Sequence, residues 1–198
     1  MNRYSMRKGR LPYGPVFLIG FLIGILMMNL GKSILLENTG LLDEYTLYHM
    51  KYMTVDSSAL FYYVLRLRMK TTLIITILAT TYLGLAVCAG ITFWYGLSAG
   101  GFLGAVILRY GIKGILLAFA GVLPQYLLYV PAYFMLLVWC ENLNRNIYFK
   151  NNFATEEQRI ISPKRLFRLI VIYGIILCGC LLESFMNPEI LAGLLKIF

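Results

Sequence analysis

Apolar residues gather in long runs, and polar, mostly basic stretches separate them. The first run occupies about 14–31, behind a start that holds Arg3, Arg7, Lys8 and Arg10 and no acid. Further runs are expected to span about 71–92, 96–110, 115–140 and 167–186. A helix needs roughly 20 apolar residues to cross a bilayer, and these runs approach or reach that length. Open sheets cannot cross hydrocarbon, and the alternation of a membrane barrel is missing, so the spans are read as helices. The expected fold is all-α: a single polytopic membrane helical bundle of about five spans. The first run resembles a signal peptide, but no small-x-small cleavage site follows it, so it reads as an uncleaved span.

Between the first two runs lies the longest polar stretch, 32–70. It carries Glu37, Asp43, Glu44 and Asp56 against Lys32, Lys51, Arg66, Arg68 and Lys70. Leu41, Leu42, Leu47, Leu60, Phe61, Val64 and Leu65 recur at near-helical spacing. Tyr45, Tyr48, Tyr52, Tyr62 and Tyr63 add rings suited to a headgroup layer. Asp56 or Ser57 is placed to cap a helix over 58–70 that continues into the second span. The stretch reads either as helices lying on the membrane surface or as a docking platform. In the second case Tyr45, Tyr48 and Tyr52 are the candidate partner contacts. The second span should close with Trp94 and Tyr95 at the interface, followed by a turn near Gly96.

Small residues and prolines mark the helix contacts. Gly20 and Gly24 form one four-residue pair; Gly96, Gly100 and Gly104 form a four-residue series. Such spacing lets two helices approach closely. Arg109, Gly111, Lys113 and Gly114 then interrupt the apolar pattern. Pro124 and Pro131 fall inside the following run, each removing a backbone donor and able to kink it. Gln125 stands beside Pro124, ready to satisfy a freed carbonyl. The 112–140 stretch reads as one kinked span or as a re-entrant helix with a shorter crossing.

Composition agrees with the pattern. Charged residues are 14% and mean hydropathy is +0.73, where a soluble domain carries about a quarter charged residues. The net charge of +9 does not point to nucleic acid, because the basic residues sit at the ends of apolar runs, where insertion topology explains them. Counting Lys and Arg places the N-terminus inside and, after five spans, the C-terminus outside. The cytoplasmic segments, among them 141–166 with Arg168 at the start of the last span, then hold ten and the external segments eight. Cys88, Cys140, Cys178 and Cys180 lie in or at the end of apolar runs without metal-site spacing. His49 has no motif partner, so neither metal nor catalytic residue is expected, and no cofactor.

The block Gly121-Val122-Leu123-Pro124-Gln125-Tyr126-Leu127-Leu128-Tyr129-Val130-Pro131-Ala132-Tyr133 resembles the stage II sporulation protein M family. That family carries a Leu-Pro-Gln or Pro-His element, an aliphatic run and Pro-Ala. The tail Leu182-Glu183-Ser184-Phe185-Met186-Asn187-Pro188 is similar to its closing Glu-Ala-aromatic-Val-x-Pro element, with Ser184 for Ala and Met186 for Val. On this resemblance Leu123, Pro124, Gln125, Pro131, Ala132, Glu183 and Pro188 are the family-motif positions. The resemblance implies a non-enzymatic scaffold in the septal or engulfing membrane of a spore-forming bacterium. Family members there anchor peptidoglycan hydrolases, sporulation proteins D and P, during engulfment.

Two other classes stand beside the scaffold. A permease subunit working with a separate ATPase is permitted by the proline-marked span. Against it, ionisable residues deep in the spans are scarce, with Glu183 the exception. An intramembrane protease would need paired acids or a Ser–His pair. Membrane lipid is the certain neighbour on this reading, and a homo-oligomer stays open.

Overall fold

The computed structural model describes residues 11–31, 56–148 and 163–195. The described residues form four helices and no strand: α1 (Tyr13–Leu30), α2 (Ser57–Ala79), α3 (Gly84–Tyr148) and α4 (Pro163–Leu195). Four segments are long and apolar enough to cross a membrane: Tyr13–Leu30, Gly84–Gly111, Pro124–Tyr148 and Pro163–Ile190. α2, which carries Arg66, Arg68 and Lys70, is not among them.

α3 consists of two limbs joined at Gly111, whose φ of 59° and ψ of −142° leave helical geometry. A side chain rarely adopts that φ, so the corner requires glycine. The bend falls in the interruption expected around Arg109–Gly114. The two prolines, in contrast, do not break the helix: Gly111 is the non-helical residue within α3, and Pro124 and Pro131 sit inside its second limb. Of the two readings of 112–140, the continuous helix is therefore the observed one. Neighbouring side chains and packing can hold a proline in a span without a break.

The second span also differs from expectation. α2 starts at Ser57, where Asp56 Oδ1 accepts from the amides of Ser58 and Ala59 at 2.9 and 3.3 Å. It ends at Ala79, so the turn covers residues 80–83 and not the neighbourhood of Gly96. Thr80 and Thr81 terminate it by donating their hydroxyls to the carbonyls of Ile77 and Leu78 (2.7 and 2.6 Å). Asn144 Nδ2 donates to the carbonyls of Ala79 and Thr81 at 3.1 and 2.6 Å. The Ala79 carbonyl is an orphan acceptor of the helix end, and the Thr81 carbonyl, in the turn, also accepts from the Gly84 amide at 3.0 Å. Residues 84–95 therefore belong to α3. Tyr95 packs on Tyr133 inside the bundle, and the pair at the turn is Tyr82 with Tyr148.

Contacts set the directions. Gly20 faces Phe93 and Leu97, and Gly24 faces Leu97 and Gly101, so α1 runs parallel to the first limb of α3. Gly84 meets Asn144 while Tyr95 meets Tyr133, so the second limb returns antiparallel. Trp139 Nε1 donates to the Arg165 carbonyl (3.0 Å) near the start of α4, whereas Tyr129 meets Glu183 near its end. α2 is antiparallel to α4, with Thr76 beside Tyr173 and Arg68 beside Glu183. One end of the bundle thus gathers the starts of α1, α3 and α4. The buried core centres on the second limb of α3, through Tyr129, Ala132, Tyr133, Leu136, Leu137, Cys140 and Leu143, with Ile172, Ile176 and Cys180 from α4.

Candidate functional site

The charged side chains inside the bundle form two clamps and leave a third contact, along α1, free of charge. The first clamp joins α2, α3 and α4. Arg68 is the midpoint of α2, eleven residues from Ser57 and eleven from Ala79. Its Nη2 donates to both carboxylate oxygens of Glu183, at 3.1 and 3.2 Å. Tyr129 Oη donates to Glu183 Oε2 at 2.7 Å and lies 3.4 Å from Cys180 Sγ. The Arg68 guanidinium carbon stands 4.7 Å from the centre of the Tyr129 ring, within cation–π range. Tyr133 and Tyr95 extend the aromatic wall, with ring centres 6.2 Å (Tyr129–Tyr133) and 5.4 Å (Tyr95–Tyr133) apart.

This pair lies inside the apolar layer. Gly96 is packed against Phe17 and Phe21 of α1, and its neighbour Tyr95 touches Tyr133. Tyr129, one turn from Tyr133 toward Gly111, is thus level with the middle of α1. A single charge in hydrocarbon costs about 3 kcal/mol even on insertion scales. Two opposite charges with a hydroxyl and a ring face around them keep each other neutral there.

The second clamp holds the start of α1. Glu141 is 2% exposed. Its Oε1 accepts from the Leu11 amide (3.1 Å) and from Arg145 Nε (2.9 Å), and its Oε2 accepts from Tyr13 Oη at 2.8 Å. It satisfies a backbone donor at the N-terminal end of α1, where a negative charge is favoured. Cys88 and Cys140 are buried in the same core.

Along α1 the contact with α3 is backbone to backbone. Added Cβ atoms at Gly20 and Gly24 would collide with the carbonyls of Phe93 and Leu97; at Gly96 and Gly100 they would collide with those of Phe17 and Phe21. Gly104 is looser, with Met28 Cβ 3.1 Å away from such an atom. All five glycines singled out in the sequence thus meet in one seam.

The motif positions fall in several places. Glu183 is the acid of the first clamp, Ala132 is fully buried in the core, Pro131 is exposed and Pro188 lies within α4. Gln125 Nε2 donates to the Gly121 carbonyl at 3.1 Å. Pro124 deprives the Ala120 carbonyl of its donor, so the Gln125 side chain bonds a neighbouring carbonyl and not the freed one, contrary to expectation. The side chain of Leu123 and residues Tyr45, Tyr48 and Tyr52, like His49, lie outside the described ones. Among the described residues no group of three or more metal-binding side chains comes together.

Arg68, Tyr129, Glu141 and Asn144 were not singled out in the sequence. Arg68 and Glu141 read there as loop charges, because apolar run length placed the span edges after one and before the other. The helical series Val64, Arg68, Thr72, Ile75 and Ala79 was the available signal. It carries one unbroken inward face from the Asp56 cap through Arg68.

These features define an all-helical integral membrane bundle closed by internal ion pairs and a glycine seam. The model of the family described as Stage II sporulation protein M matches residues 15–188. The chain belongs to that family, and it is a membrane protein of a sporulation family. No curated protein and no solved structure matches it.

Proposed function

We propose that this protein is a non-enzymatic membrane scaffold that anchors and localises peptidoglycan hydrolases, of the sporulation protein D and P type, during spore engulfment. What supports the reading is the family match over 15–188, which reaches from the first span of the bundle into the last. The architecture is compatible with it. Arg68, Glu183, Glu141 and Arg145 bind one another, as suits a rigid anchor. In this reading the N-terminus is cytoplasmic and the C-terminus external, following the basic start. The 32–56 segment then lies outside, where hydrolases meet their substrate, and it offers Tyr45, Tyr48 and Tyr52 as contacts.

The permease alternative draws on one observation, the ion pair of Arg68 and Glu183 at the level of the apolar layer. Affinity purification from the native host separates the two. Co-purifying wall hydrolases support the scaffold; a co-purifying ATPase without hydrolases sinks it. Tyr45→Ser, Tyr48→Ser and Tyr52→Ser together should weaken hydrolase recovery while the protein stays inserted and abundant. A reporter active only outside the cell, fused after Phe198, should be active. Activity confined to a fusion at residue 155 would reverse the orientation.

A further inference from the structure

The first clamp accounts for one of three cations on α2. Arg66 and Lys70 flank Arg68 in sequence and point the other way, since two residues turn a helix by about 200°. Both are exposed, and neither makes an ion pair with a described residue. They share a stripe with Tyr62, Leu73 and Ile77, which are 70%, 50% and 63% exposed. The inward face of α2 is taken by α3 and α4 through Arg68, Thr76 and the Asn144 contact. Among the described residues nothing covers the outward stripe, and in a membrane bundle such a face meets the bilayer.

That location is costly for a bare cation. Arg66 and Lys70 leave the helix within about 3 Å of the level of Arg68, at 1.5 Å per residue, and Arg68 is level with the middle of α1. Helix side chains lean toward the N-terminus, so both heads extend toward Ser57 and the exposed rings of Tyr62 and Tyr63. A stem of this kind shortens the distance to the interface without closing it. The rest is closed when the bilayer thins locally and a headgroup is drawn down. Of the groups in a membrane, a phosphodiester fits best: it is anionic, it accepts a forked bond from an arginine, and it takes lysine as a point charge. Its acyl chains then continue along Leu73 and Ile77.

We propose that the outward face of α2 is a binding site for the phosphate of an anionic phospholipid, held by Arg66 and Lys70 below Tyr62. The occupant is a lipid, because the phosphate must arrive attached to chains that cover the apolar half of the stripe. The site lies in the leaflet that contains the N-terminus of α2.

The test uses the full chain purified in detergent, titrated with dioleoyl-phosphatidylglycerol or dioleoyl-phosphatidylcholine and read by native mass spectrometry and thermal unfolding. The wild type should retain the anionic lipid in preference to the zwitterionic one. Two interfacial cations predict a ratio of about 25-fold, at roughly fivefold each. Arg66→Gln with Lys70→Gln should abolish the preference. Lys164→Gln with Arg168→Gln, exposed near the start of α4, should leave it. Arg66→Lys with Lys70→Arg keeps both charges and should preserve most of it, so a poorly folding Gln variant does not stall the test. Equal retention of both lipids by the wild type overturns the proposal, as does a preference that survives the Gln variant. Displacement of the lipid by soluble glycerol phosphate at equal concentration overturns it too. An acidic membrane protein lost from the Gln variant, with lipid preference unchanged, would assign the face to a protein and also overturn it.

Discussion

The two sides of α3 are held by opposite means. Toward α1 its first limb offers Gly96, Gly100 and Gly104, and the backbones touch with no charge between them. Toward α2 and α4 its second limb offers Tyr129 and Tyr133, and the contact is organised by Arg68 and Glu183. The difference reflects what each side has to do. In lipid there is no hydrophobic force between helices, so beyond its Glu141-held start the apolar length of α1 gains from close van der Waals contact. α2 cannot use that route, because it brings a cation into the layer and needs an acid to receive it. A seam of glycines tolerates no added volume, and an ion pair tolerates no lost partner.

The largest effect should come from overfilling the seam. Gly100→Leu forces a side chain into the Phe21 backbone, which cannot rotate away, and overpacking of this kind costs about 3 kcal/mol. Thermal unfolding in detergent measures it; an unchanged midpoint with normal expression would mean that α1 does not pack there.

Breaking the clamp should come next. Glu183→Ala leaves Arg68 without its acid and should destabilise the protein by about 2–3 kcal/mol. That is below the range for fully buried pairs, because the Arg68 and Glu183 side chains are 23% and 18% exposed. The double variant Arg68→Met with Glu183→Met should be more stable than Glu183→Ala alone, because no orphan charge remains. If the double variant is the worse of the two, the pair does more than neutralise itself, and the permease reading gains.

Glu141→Ala should have a smaller effect of about 1–2 kcal/mol, the cost of stranding the Tyr13 hydroxyl and the Leu11 amide. It should show chiefly as faster proteolysis at the start of α1. Equal protection in wild type and variant would remove Glu141 from the anchoring of that helix. The smallest change separates glycines that pack from glycines that do not. Gly104→Ala meets Met28 Cβ at 3.1 Å, a contact relieved by a shift of a few tenths of an ångström, and Gly90→Ala meets nothing within 4 Å. Both should fall within about 1 kcal/mol of the wild type, with Gly90→Ala the milder. A Gly90→Ala variant as damaged as Gly100→Leu would point to an unrecognised contact on that face.

Apolar run length and glycine spacing were enough to read an all-helical membrane bundle, the interruption near Gly111 and five glycines as packing positions, whereas only the structure shows that these five meet between α1 and α3. The Asp56 cap was legible too, since capping is a local reaction between a side chain and the amides just after it. The second turn was not. Trp94, Tyr95 and Gly96 resembled an interface followed by a break, whereas the turn forms at residues 80–83 because Asn144, some sixty residues later, takes the carbonyls of Ala79 and Thr81. The clamps follow the same rule. Run length counts Arg68 and Glu141 as loop charges, since hydropathy prices each residue as though it stood alone in lipid. Their partners, Glu183, Tyr129, Tyr13 and the Leu11 amide, come from distant parts of the chain. Sequence alone therefore determined the class, an all-helical membrane bundle, and where its apolar runs lie. Tertiary structure decided which charges may accompany them, because the energy of a buried charge depends on the group that faces it.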